Sequence, residues 1–215
     1  MQFRNREEAA QLLSERLEHY RGQHPLILGI PRGGVPMARI IADRLGGDLD
    51  VMLVHKLRAP DQPELAVGSI DEHGSVYLTP FVEELNISDS ALKAEQQLQL
   101  ATLKTRRARY SKARPPIPLA GRVVILVDDG LATGSTVIAA TRAARAQHPA
   151  RVVVAVGVAP PTTVSRLHAE ADEVLCLHAP HAFAAVGAFF ADFSEVTDDD
   201  VIALLHEKPA PTSTS

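Results

Sequence analysis

The chain has 215 residues, with 46% hydrophobic and 22% charged residues, and 22 Lys+Arg against 26 Asp+Glu give a formal charge of −4. These values exclude a mostly disordered chain and give no general electrostatic pull toward nucleic acid or a membrane surface. Aromatics make up only 4% and Trp is absent, so the core of one globular unit has to be built from Val, Ile, Leu and Ala.

In chain order, the first eight residues, Met1-Gln2-Phe3-Arg4-Asn5-Arg6-Glu7-Glu8, lack the apolar stretch of a secretory signal. No apolar run reaches the roughly 18–20 residues of a membrane span, so a soluble cytoplasmic protein is expected. Ala9, Leu13, Leu17 and Tyr20 fall on one stripe of a helix over residues 6–20. Residues 25–30 form a short apolar strand stopped by Pro31-Arg32-Gly33-Gly34. Val35, Ala38, Ile41, Ala42 and Leu45 then recur at helical spacing and end at Gly46-Gly47. A second buried strand is predicted at 51–54, closed by His55-Lys56.

Residues 57–66 carry two prolines and no period, and read as a long loop. Residues 67–70 and 76–79 read as a hairpin turning at Asp71-Glu72-His73-Gly74-Ser75. A polar helix is predicted over 88–111. Three further unbroken apolar strands lie at 123–127, 152–158 and 174–177, separated by helices at 134–147 and 161–170. The tail, residues 209–215, has the composition of a disordered segment. Strands alternating with helices give an α/β fold, and strands apolar throughout are those buried on both faces. The expectation is a five-stranded parallel sheet flanked by helices. It belongs to a single domain over 1–208, with a core of about 25–177 and caps at 1–20 and 178–206.

In open sheets of this kind ligands bind beyond the carboxyl ends of the strands, and two strand ends here are unusual. One is Val124-Ile-Leu-Val-Asp128-Asp129-Gly130-Leu131-Ala132-Thr133-Gly134-Ser135-Thr136, running into an Ala-rich helix. Such a turn aims free backbone N–H groups and a helix dipole at one point, and Thr133, Ser135 and Thr136 add hydroxyls, so a phosphate monoester can be held without lysine. A nucleoside triphosphatase loop needs Gly-Lys-Ser/Thr, which is missing. Asp128 and Asp129, as strand neighbours, point to opposite faces. That argues against a paired acid/base site and for acceptors of vicinal sugar hydroxyls or outer ligands of Mg²⁺.

Residues 124–136 resemble the signature of type I phosphoribosyltransferases: four apolar residues, two acids and a Thr-Gly-x-Thr phosphate loop. The resemblance, which extends over about residues 25–160, implies that Asp128 and Asp129 bind the ribose hydroxyls of phosphoribosyl pyrophosphate. It implies that Ala132, Thr133, Gly134, Ser135 and Thr136 bind its 5′-phosphate. Pro31, Arg32, Gly33 and Gly34 stand where the family places its pyrophosphate loop, often with a non-proline cis peptide, and Arg32 suits a bidentate grip on phosphate oxygens. Lys56 stands where the catalytic loop begins, and Glu64, in Pro63-Glu64-Leu65-Ala66-Val67-Gly68, is a candidate base or Mg²⁺ partner. That segment is similar to bacterial members of unassigned substrate. Gly130 departs from the family, which is usually apolar there. Ala132 departs from the 6-oxopurine members, which carry an Asp, and so weakens a hypoxanthine or guanine assignment.

The implied activity is Mg²⁺-dependent transfer of 5-phosphoribosyl to a nitrogen base, or its reversal. Phosphoribosyl pyrophosphate and a nucleobase or nucleotide are the partners, a homodimer is implied, and no membrane partner is expected. The caps are implied to form a hood that recognises the base, where His181, Phe183, Val186, Phe189 and Phe193 are either stacking residues or, with more weight, a core aromatic cluster. The alternative is a nucleotide-sensing regulator of the same fold that binds RNA through the basic run 104–114, which more readily reads as a solvated helix end. A dinucleotide-binding oxidoreductase lacks Gly-x-Gly-x-x-Gly. The single cysteine, Cys176, reads as a core thiol, and the nine histidines show no zinc-ligand spacing.

Overall fold

A computed structural model describes residues 2–60, 62–79, 81–113 and 115–206; the tail expected to be disordered lies outside them. The chain runs α1 (Arg6–Arg16), β1 (Leu26–Gly29), α2 (Gly34–Leu45), β2 (Asp48–Val51), β3 (Val54–Ala59), β4 (Gln62–Asp71) and β5 (Val76–Leu78). It continues through α3 (Phe81–Glu84), α4 (Asp89–Tyr110), β6 (Val123–Gly130), α5 (Ser135–Arg145), β7 (Arg151–Val158), α6 (Pro161–Leu167), β8 (Glu173–His178) and α7 (Asp198–His206). No helix among the described residues is long and apolar enough to cross a membrane.

Five strands form one parallel sheet in the order β2-β1-β6-β7-β8. The inner strands β1, β6 and β7 are apolar along most of their length because both faces are covered. Ile27, Ile125, Val153 and Ala155 pack with Ala10, Leu13, Met37 and Ile41 of α1 and α2. Leu28, Leu126, Val154 and Val156 pack with Val137, Ala140, Ala144 and Leu167 of α5 and α6. All of these side chains are at least nine-tenths buried, and each large aliphatic one contributes about 1.5–3 kcal/mol. Helix α1 keeps the predicted stripe: Asn5 caps it by accepting from the Glu8 N–H, and Ala9, Leu13, Leu17 and Tyr20 are buried. Helix α2 ends where Gly46 takes a left-handed conformation, as its terminal glycines forecast.

Strand order is what creates a binding crevice. From β1 the chain steps outward to β2, and from β6 it steps the opposite way to β7 and β8. The reversal falls between β1 and β6, which pair in register from Leu26–Val124 to Gly29–Val127. The crevice beyond their carboxyl ends is the switch point at which such sheets bind ligands.

Three sequence-based expectations are corrected in the region after β2. The second core strand is Asp48–Val51, three residues earlier than predicted, since Leu49 and Val51 supply its inward row while Met52 and Leu53 carry the chain out of the sheet. Residues 57–66 are not a long loop: β3 and β4 form an antiparallel ribbon, with β5 as its third strand. Lys56 therefore does not end a core strand. It sits within β3, exposed and opposite Ser69. The prolines hid this ribbon because Pro60 lies in its turn and the register shifts around Arg58. The usable signal was the alternation of exposed Lys56 and Arg58 with buried Leu57 and Ala59. The predicted hairpin of β4 and β5 is present.

The predicted polar helix is α4, and its basic run is partly consumed by the fold. Arg107 pairs with Asp50 and Glu72 and donates to the Val51 carbonyl, fastening α4 to β2 and the hairpin turn. Arg109 reaches Asp198 and Asp199 at the start of α7. Cys176 is half-buried with its thiol on the His178 carbonyl, and burial pushes it above the ordinary thiol range, which fits an inert core thiol.

Candidate active site

The two turns singled out in the sequence emerge side by side at the switch point. The first follows β1 and leads into α2. The peptide between Pro31 and Arg32 is cis. Its leading helical amides are consumed or missing: Gly34 donates to the Ile30 carbonyl, Val35 to the Arg32 carbonyl, and Pro36 has no N–H. The Arg32 and Gly33 N–H groups find no acceptor among the described residues. Arg32 is half-exposed and pairs through Nη2 with Glu195 Oε1 at 2.9 Å. Gly33 permits a close approach of chains, since a Cβ there would fall inside the Asp129 carboxylate.

The second turn follows β6 and leads into α5. Gly134 sits at the helix entrance with φ +71°, a conformation that glycine adopts without penalty, and a Cβ there would come within 2.6 Å of Thr163 Cγ2. The Thr136, Val137 and Gly134 N–H groups have no acceptor among the described residues, while the Ser135 N–H makes only a 3.5 Å approach to Thr133 Oγ1. The α5 dipole therefore ends in open donors, with the Thr133 and Ser135 hydroxyls 3.0 Å apart beside them. The turn is held from behind. Thr163 Oγ1 donates to the Ala132 carbonyl at 2.8 Å, and Arg166 Nη1 donates to the Thr133 carbonyl at 3.2 Å.

Between the turns stand the two acids. Asp128 continues the row of Val124 and Leu126 toward α5; Asp129 continues the row of Ile125 and Val127 toward α1 and α2. They take opposite faces, as strand geometry requires. The Asp128 Oδ1 accepts from the Asp129 N–H at 2.9 Å. Burial holds the Asp128 carboxyl well above the usual carboxylate range, and the neighbouring Asp129 charge adds to this. Burial also raises Asp129, against the opposing pull of the Arg6 guanidinium, whose Nε lies 2.8 Å from Asp129 Oδ2.

Arg6 and Glu195 are site residues that sequence reasoning missed. Neither lies in a motif, and the Arg6–Asp129 pair spans 123 positions, so no local pattern could have announced it. The two terminal segments meet over the site: Phe3 donates to the Phe189 carbonyl, and Ala191 and Asp192 donate back to Phe3 and Arg4. Within the C-terminal segment, Phe183 stacks on Phe189 with centroids 5.3 Å apart, and Phe190 stacks on Phe193 at 5.1 Å. Phe183, Val186 and Phe189 pack onto the core, whereas His181 is exposed. The departure at Gly130 also has its reason here, because a Cβ would strike Val186 and Val158.

A cavity of about 390 Å³ opens among Arg6, Arg32, Gly33, Asp129, Phe193 and Glu195. Lys56 is not among the residues that line this cavity, and the Glu64 side chain lies outside the described residues. On opposite faces, Asp128 and Asp129 each offer an oxygen donor of the kind that suits a hard cation such as Mg²⁺, but not a shared pair of ligands. Among the described residues no third His, Cys, Asp or Glu joins them to make a closed cage.

Comparison with known proteins agrees with this geometry. The chain is 48% identical to TT1426 from Thermus thermophilus, whose crystal structure superposes with a TM-score of 0.85 and covers 96% of this chain and 98% of that one. It is 42% identical over 204 residues to the provisionally named phosphoribosyl transferases MT0597 and Rv0571c of Mycobacterium tuberculosis strains CDC 1551 / Oshkosh and H37Rv. The match takes in 94% of this chain and 46% of each relative, so the chain spans about half the length of the curated relatives it matches. Residues 4–190, including both turns, the two acids and Arg6, match the family model of the phosphoribosyl transferase domain, and the chain belongs to that family.

Proposed function

We propose that the protein transfers a 5-phosphoribosyl group from phosphoribosyl pyrophosphate to the nitrogen of a base, releasing pyrophosphate, or runs the reverse reaction. The observation that carries this reading is the pairing of an amide-lined turn with an arginine-bearing turn across one crevice, two carboxylates between them. The amides of Gly134, Thr136 and Val137, with the Thr133 and Ser135 hydroxyls, suit a dianionic 5′-phosphate; Pro31–Gly34, through Arg32, suits the pyrophosphate. Asp128 and Asp129 suit acceptance from ribose hydroxyls, and the reading takes residues 1–208 as one domain with the terminal segments as its hood.

Bond cleavage at the anomeric carbon builds positive charge on the sugar and negative charge on the leaving group. The work of the protein is then to hold both ends of the donor, surround the sugar with carboxylates and exclude water. No protein nucleophile is required. Asp128 or Asp129 would serve as outer partners of a Mg²⁺ held mainly by donor oxygens, and that ion, when bound, would help neutralise the departing pyrophosphate. Lys56 and Glu64, on the ribbon, are the further candidates for contact with the donor.

The test is incubation of the protein with Mg²⁺, phosphoribosyl pyrophosphate and a panel of purine and pyrimidine bases, reading pyrophosphate release. Release with one base assigns the acceptor. Failure of the protein to bind phosphoribosyl pyrophosphate at all would sink the proposal.

A further inference from the structure

The strongest unassigned interaction in the crevice belongs to the N-terminal helix. Arg6 spends its guanidinium on three partners at once. Its Nε donates to Asp129 Oδ2 at 2.8 Å, its Nη1 donates to the Ser194 carbonyl at 2.7 Å, and its carbon centre lies 3.9 Å from the centroid of Phe193. Its side chain is 14% exposed and that of Asp129 is 11% exposed, so the pair is shielded from solvent in a way that surface ion pairs are not. Gly33 lies against the same carboxylate oxygen, Asp129 Oδ2. Among the described residues, Arg6 is the only side chain hydrogen-bonded to Asp129, and it engages one of the two oxygens.

A carboxylate meant to accept from a sugar hydroxyl has to be fixed in direction before the sugar arrives, and a lone side chain on a strand end can rotate. Arg6 supplies that fixing, and it is itself held by Phe193 and the Ser194 carbonyl. We infer that Arg6 is a positioning residue for the donor sugar: it holds Asp129 as an oriented acceptor, so that sugar recognition depends on the contact of the N-terminal helix with segment 190–196. The inference rests on the proposed role of Asp129. The competing idea, that Arg6 blocks Asp129 and is displaced by the donor, predicts the opposite sign.

The experiment measures binding of phosphoribosyl pyrophosphate and of inorganic pyrophosphate, each with Mg²⁺, by calorimetry. Pyrophosphate lacks the sugar and serves as the internal control. Wild type is expected to bind both. Arg6→Gln is expected to lose about tenfold in affinity for phosphoribosyl pyrophosphate, with pyrophosphate affinity unchanged. Arg6→Lys, which keeps the charge, is expected to recover most of the loss. In an Asp129→Asn background, Arg6→Gln is expected to add nothing further.

Unchanged or tighter donor binding by Arg6→Gln overturns the inference, as does an equal loss for both ligands or an undiminished loss on top of Asp129→Asn. Should Arg6→Gln fail to fold, Phe193→Leu removes the ring beneath the guanidinium and keeps every charge. It is expected to weaken donor over pyrophosphate about threefold, and an unchanged ratio overturns the inference. Wild type binding pyrophosphate but never phosphoribosyl pyrophosphate would instead bring down the proposed function itself.

Discussion

The turn after β1 and the turn after β6 lie side by side and are built on opposite plans. The first consumes its leading helical amides on its own carbonyls and offers a charged side chain, Arg32. The second leaves its helical amides open and offers no cation of its own, only a dipole and hydroxyls fixed from behind by Thr163 and Arg166. The difference has a physical meaning. Fixed amides recognise an anion of one size at one place and need no side-chain ordering. An exposed guanidinium reaches an anion that must arrive and leave, at some cost in ordering the chain. A phosphate that stays with the product suits the amide turn, and a departing pyrophosphate suits the arginine turn.

The largest expected effect comes from breaking the amide turn. Gly134→Val places a branched side chain at φ +71° and against Thr163. Binding of inorganic phosphate and of phosphoribosyl pyrophosphate should both fall by at least about a hundredfold, because several charge-assisted bonds of about 1.5–3 kcal/mol are lost together. Isothermal calorimetry checks this, and tight phosphate binding by the variant would break the comparison at its stronger end.

Next in size is the acid pair between the turns. Asp128→Asn with Asp129→Asn should abolish turnover and leave the fold intact by circular dichroism. The single variant Asp128→Asn sharpens the point through stability. Burial holds the folded-state carboxyl of Asp128 above its unfolded value, so ionising it opposes folding and acidification through the raised value relieves the cost. Asp128→Asn should therefore melt about 2–4 °C higher than wild type at pH 7 for each kcal/mol relieved. The gap should close as pH falls, and a gap that widens would contradict the burial argument.

Arg32→Ala tests the other turn, and should weaken inorganic pyrophosphate about ten- to a hundredfold, the range for one charged donor. Thr133→Ala in the amide turn should cost only a fewfold in phosphate affinity. Added salt should diminish the contribution of Arg32 more than that of the amides, because exposed charges are screened. The smallest effect is expected from Glu195→Gln. It frees Arg32 from an exposed ion pair of about 0–1 kcal/mol, so pyrophosphate should bind up to about fivefold tighter by the same calorimetric titration.

How much of this was legible beforehand follows from where each residue finds its partners. The strands at 123–127 and 152–158 are continuous apolar runs, broken by no charge, because both faces of the sheet are covered, and that condition is written in consecutive residues. The amide-lined turn after β6 was equally legible, as its amides, glycine and hydroxyls lie within five neighbouring positions. Lys56 was misplaced because a ribbon of modest hydrophobicity, with a proline in its turn, imitates a loop. The basic run 104–114 was readable only as a charge pattern, since Asp50, Glu72 and Asp198, which take up Arg107 and Arg109, lie far along the chain.

The sequence alone therefore determined the parallel α/β sheet, the amide turn, the opposed faces of Asp128 and Asp129 and the family resemblance. Each depends on backbone periodicity or on groups a few residues apart. Only the tertiary structure decided that β1 and β6 stand side by side, that a three-stranded ribbon covers α5, and that Arg6 and Glu195 close on Asp129 and Arg32. Those are pairings across many tens of residues between exposed-looking charges, and such a pair is specified by where the folded backbone brings two side chains, which no local pattern records.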